Sequence, residues 1–149
     1  MKKILIILVI GVFIYDWTSD VYYSSSSSSS KYDSISIKNS DLILQNAFKN
    51  GLHDLQVEGL GTVIKLLPDD NVGSRHQKFI IKLSSGQTLL ISHNIDLAPS
   101  IDDLHYGDQV EFNGEYEWNP NGGVVHWTHK DPNGYHIGGW LKHNGRTYQ

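Results

Sequence analysis

The chain has 149 residues, with 12 Lys plus Arg against 16 Asp plus Glu, eight histidines and no cysteine. That length suits one ordinary domain, and the lack of cysteine excludes a disulfide framework and a lipidated cysteine anchor. From Lys31 onward, with Lys2, Lys3, Asp16 and Asp20 set aside, ten basic residues face fourteen acidic ones, so the basic surface of a phosphate-backbone binder is missing and nucleic-acid binding is disfavoured.

Met1-Lys2-Lys3 is a short positive start, and Ile4 to Tyr15 follows with twelve uncharged residues. This is the pattern of a secretory leader, shorter than the roughly 20 apolar residues that span a bilayer. Residues 1–20 are therefore expected to be a signal peptide or, since no small-x-small cleavage motif follows, a membrane anchor. A buried strand or helix is the alternative. The expected location is the periplasm, free or tethered to the inner membrane, with membrane contact only through this segment. Ser24 to Ser30 is an unbroken serine run, which reads as a flexible tether. Residues 21–39 are accordingly expected to be a linker and 40–149 a single domain.

Ser40 followed by Asp41 to Asn50 and Gly51 predicts a three-turn helix, capped by Ser40 and stopped by Gly51, with Leu44, Ala47 and Phe48 on its packing face. The period then changes to two. Val57 to Leu67 predicts a long strand bent at Gly59 and Gly61. Gln77 to Leu83 alternates with Phe79, Ile81 and Leu83 inward, and Thr88 to Ser92 returns from a hairpin. Gln109 to Trp118 predicts a fourth strand, with Val110, Phe112, Gly114, Tyr116 and Trp118 inward. Asn121-Gly122 predicts a two-residue turn into a fifth strand, Val124 to Thr128. Five strands and one helix predict a mainly β fold: a small OB-like barrel with an N-terminal helix packed on it. An SH3-like barrel is the alternative.

The two-residue turn would set Glu117 across from His126 and Glu115 across from Thr128, leaving Glu115, Glu117 and His126 on one polar face. His129, Asp131 and His136 follow in a loop turned by Pro132-Asn133-Gly134. Imidazole and carboxylate are the usual donors to zinc and similar divalent ions when cysteine is absent. His126, His129, Asp131 and His136 are thus candidate metal ligands, with Glu117 or Glu115 as the candidate general base of a catalytic site. The competing reading is a hydrogen-bonded polar hairpin without an ion. Pro132, Gly134, Gly138 and Gly139 argue against the helix that a ββα-type nuclease would need.

His93, Asn94 and Asp96, where the third strand ends, and Arg75 and His76, where the second begins, are candidate ligand-binding residues at a barrel mouth. Turn capping by Asn94 or Asp96 and a solvated Arg75 loop are their alternatives. Trp118 and Trp127 are expected in the core, which leaves Trp140 and Tyr135 as rings available for stacking on a ligand.

The stretches His93-Asn94-Ile95-Asp96-Leu97-Ala98-Pro99, Gly114-Glu115-Tyr116-Glu117-Trp118-Asn119, His126 to Pro132 and Gly138-Gly139-Trp140 resemble the hallmarks of a bacterial family of domains of unknown function, over roughly Val57 to Tyr148. The resemblance implies an exported domain and brings no catalytic assignment. The functions in contention are an extracytoplasmic OB-like binding module for an unidentified oligomeric or small polar ligand, with or without an ion in its His/carboxylate group, a metal-dependent hydrolase of phosphodiesterase or nuclease type, and an envelope interaction domain in which the polar hairpin is only structural.

Overall fold

A computed structural model describes residues 26–149; the expected leader within residues 1–20 lies outside the described residues. One helix, α1 (Ser26–Asn50), precedes seven strands: β1 (Leu55–Leu66), β2 (His76–Lys82), β3 (Thr88–Asn94), β4 (Gln109–Glu117), β5 (Val124–His126), β6 (Trp140–His143) and β7 (Arg146–Tyr148). No described helix is long and apolar enough to cross a membrane.

The strand order is β1-β2-β3-β5-β4-β6-β7, and a further pairing of β1 with β4 closes the first five into a barrel. β3 and β5 run parallel and the other pairings are antiparallel, so the barrel is OB-like. The inward residues of the alternating strands fill it: Phe79, Ile81, Leu89, Ile91, Val110, Phe112, Tyr116 and Val125 are fully buried. Burying each of the larger apolar side chains contributes about 1.5–3 kcal/mol. A Cβ on Gly59 or Gly61 would come within 2.8 Å of Phe112 or Ile81, so both glycines serve close approach inside the barrel. The bulge in β1 falls after them, where Val63 pairs with Ile81 but Lys65 pairs with Ile80.

The helix and the hairpins depart from expectation. Helix α1, described from Ser26, extends well ahead of Ser40 and takes in the described part of the serine run. A serine costs a helix only a few tenths of a kcal/mol, so an established helix propagates through it. Packing nevertheless begins near the expected start, since Ile37, Ser40, Asp41, Leu44, Ala47 and Phe48 are the covered positions. The β4–β5 connection is wider than two residues: Asn119 Oδ1 accepts the amides of Asn121 at 2.9 Å and Gly123 at 3.2 Å. The register therefore shifts by two, to Glu115 opposite His126 and Glu117 opposite Val124. The β6–β7 hairpin was not expected; β6 adds to β4 beyond the end of β5, pairing Phe112 with Leu141.

Helix α1 lies over the barrel end that carries the β2–β3 turn. Buried Asp41 accepts the Ser84 hydroxyl at 2.6 Å and the Ser85 amide at 2.8 Å. Trp118 leaves the core, 37% exposed, donates from Nε1 to the Phe48 carbonyl at 3.0 Å and stacks on the Phe48 ring.

Candidate functional site

Period-two alternation turns Glu115 and Glu117 of β4 outward on the face where His126 of β5 also emerges. One donor atom from each lies within 4.8 Å of the other two. Nε2 of His126 is itself buried and makes no aligned hydrogen bond, although it lies 3.2 Å from Oε1 of Glu115.

Two further histidines reach the two carboxylates. His136, from the loop between β5 and β6, donates from Nε2 to Oε2 of Glu115 at 2.7 Å and from Nδ1 to the Ile137 carbonyl at 2.7 Å. Both partners are acceptors, so the two contacts favour the doubly protonated ring. Burial opposes that charge, but the bonds to Glu115 and Ile137 outweigh it and raise the pKa of His136 above the ordinary histidine value. Its ring stacks on Trp127 with centroids 4.0 Å apart and planes 7° from parallel. Trp127 is therefore half-buried beside the site rather than in the core, and it reaches His136 from a left-handed backbone at φ 51°, a rare conformation for a bulky residue.

His53, in the linker between α1 and β1, donates from Nδ1 to Oε2 of Glu117 at 2.6 Å, and the Asp54 amide donates to Oε1 at 3.1 Å. Burial raises the Glu117 pKa, but these two bonds and the His53 charge prevail and hold it below the ordinary range. His53 escaped the sequence reading because nothing local marks it. The β1–β4 register, with Leu55 opposite Tyr116, is what carries the linker to Glu117.

The other candidates go elsewhere. Asp131 accepts the amides of Asn133, Tyr135 and His136 at 3.0, 2.7 and 2.8 Å, bonds that lower its pKa and shape the loop. His129 is 3% exposed and donates to the Lys130 carbonyl at 2.8 Å. Among the described residues no helix follows the β4–β5 hairpin; residues 127–139 form a loop.

The expected barrel-mouth site is divided among internal bonds. His93 is fully buried, its Nδ1 2.8 Å from the Thr128 hydroxyl and its Nε2 3.1 Å from the Pro99 carbonyl. Burial pushes its pKa down to about 4, against the effect of those bonds. Asn94 Oδ1 accepts the Asp96 amide at 2.9 Å, the turn-capping role. Asp96 accepts the Arg75 amide at 2.8 Å and its Nε at 2.7 Å, so these two candidates satisfy each other, and His76 donates to the Ser74 carbonyl at 2.8 Å. Trp140 is half-buried and lines a cleft of about 570 Å³ with Ile37 of α1, Glu58 and Leu60 of β1, and Glu111. Tyr135 is 93% exposed on the β5–β6 loop.

The sequence pattern of the family described as protein of unknown function DUF3465 matches residues 27–149. The chain belongs to the DUF3465 family. The match takes in the whole barrel, the β6–β7 hairpin and nearly all of the described part of α1, so the Glu115-Glu117-His126 group and both flanking histidines lie within the DUF3465 domain. No curated protein matches the chain.

Proposed function

We propose that this DUF3465 domain is an extracytoplasmic OB-like binding module that holds a divalent transition ion, zinc by preference, between Glu115, Glu117 and His126. The observation that carries the reading is the donor group itself: three side chains of the right chemistry within 4.8 Å of one another, one of them a buried imidazole nitrogen without an aligned hydrogen bond. Donors at 2.0–2.2 Å from a tetrahedral ion are about 3.3–3.6 Å from each other, and His126 Nε2 and Glu115 Oε1, 3.2 Å apart, are close to that spacing. One imidazole and two carboxylates suit zinc, while a soft ion would want sulfur ligands. OB-folds that bind oligonucleotides use the face of strands 2 and 3; this group lies on β4 and β5, in a chain of formal net charge −4. The extracytoplasmic location rests on the Lys2-Lys3 start and the apolar run that follows.

A second reading, a metal-dependent hydrolase of the phosphodiesterase class, is favoured by the number of donors. Catalytic zinc sites use three protein ligands and keep a fourth position for water or substrate.

Elemental analysis of the full-length chain tests the proposal. One zinc per chain is expected in the wild type, with loss in His126→Ala and in Glu115→Gln; a wild type that binds no divalent ion overturns it. Zinc-dependent cleavage of a p-nitrophenyl phosphodiester, lost in the same variants, would select the hydrolase reading.

A further inference from the structure

We infer that His53 and His136 are positioning residues of this metal site, acting on the ion through the carboxylates they hold; the inference rests on the metal reading above. Each glutamate is gripped by a histidine from a different part of the chain. His136 bonds Oε2 of Glu115, while Oε1 of the same carboxylate faces His126. His53 bonds Oε2 of Glu117, and the neighbouring Asp54 amide takes Oε1. A glutamate side chain has three rotatable bonds. Unless its carboxylate is held, binding an ion must first overcome that freedom.

The His136 clamp is itself immobilised. The His136 ring is fixed at its two nitrogens by Glu115 and Ile137 and on one face by Trp127, and its own amide is bonded by Asp131. Asp54 sits at φ 53°, in the left-handed region, which brings the amide beside His53 to Glu117. Stability alone does not account for His53, because its side chain is 52% exposed and exposed ion pairs contribute little to folding. Groups that hydrogen-bond metal-ligating side chains typically change metal affinity 10–100-fold when removed.

The test uses the full-length chain and measures zinc affinity by competition with a chromophoric chelator, alongside the visible absorption of the cobalt(II) form. His53→Ala and His136→Ala are expected to weaken zinc binding about 10–100-fold while keeping one ion per chain and the wild-type cobalt band positions. His53→Asn puts an amide nitrogen near the place of Nδ1, and His136→Gln puts one near the place of Nε2, so both are expected to restore most of the affinity. These conservative variants, with circular dichroism of the metal-free proteins, separate lost positioning from lost folding. Unchanged or tighter zinc binding in the alanine variants overturns the inference while leaving the metal site standing. Altered cobalt bands in His136→Ala, with no rescue by Gln, would make His136 a ligand and overturn its positioning role. A wild type that binds neither zinc nor cobalt removes the metal reading and this inference together.

Discussion

His93 and Thr128 meet inside the barrel, the imidazole Nδ1 2.8 Å from the hydroxyl and neither side chain exposed. The Pro99 carbonyl can only accept, so Nε2 of His93 carries the proton and Nδ1 accepts from Thr128. A neutral histidine thereby ties the end of β3 to the segment after β5 and to the loop before β4.

This arrangement sets a pH dependence of stability. The folded-state pKa of His93 is depressed to about 4 from 6.5, so between those values the unfolded chain binds more protons and stability falls as pH falls. The loss from pH 7.5 to pH 4 is expected to be about 3 kcal/mol, read by urea denaturation. His93→Gln should be less stable at neutral pH yet lack this component. A wild-type stability that stays flat across the window would contradict the buried neutral imidazole.

Metal removal should be visible in the same measurement. If zinc binds the folded chain alone, a free concentration 100-fold above Kd stabilises it by about 2.7 kcal/mol. EDTA should reverse the gain, and Glu115→Gln and His126→Ala should show none of it.

Gly139 gives a prediction independent of any ligand. A Cβ there would collide with the carbonyl oxygens of Asn113 and Trp127, and the Gly139 amide donates to the His129 carbonyl at 2.9 Å. Gly139→Ala is expected to cost about 2 kcal/mol or more, measured by thermal unfolding. Gly134→Ala, where a Cβ meets nothing but φ is 70°, should cost about 1 kcal/mol.

Trp118 holds the end of α1 through its bond to the Phe48 carbonyl and its stack on the Phe48 ring. Trp118→Ala is expected to cost about 1–2 kcal/mol and to speed amide hydrogen exchange in residues 41–50 more than in β2 and β3. Uniform acceleration across the barrel would contradict a local docking role.

Much of the barrel was legible because alternation is strong where one face is buried: Phe79, Ile81 and Leu83, or Val110, Phe112 and Tyr116, all lie inward. The β4–β5 register was misread because Asn119 widens the turn with its side chain. That slip of two keeps every residue on its own face, which is why Glu115, Glu117 and His126 still belong together. Trp118 was misplaced because the β alternation ends at Glu117 and the chain turns toward α1. The short β6 and β7 carry too few residues to show a period, and His93 looks like a loop residue although β3 continues through it to Asn94 and buries it. His53 depended on a contact 64 residues away in sequence, which local pattern cannot show.

Closing the seam between β1 and β4 is also what completes the site. His126 meets Glu115 within one hairpin, whereas Asp54 reaches Glu117 across 63 residues, a loop whose closure entropy must be met before the contact forms. The hairpin can assemble early, but the grip on Glu117 exists only once the ring of strands is complete. A chain that has paired its strands without joining the first to the fourth would have the outline of the site and lack one of its clamps, so the grip on Glu117 reports that the barrel has closed.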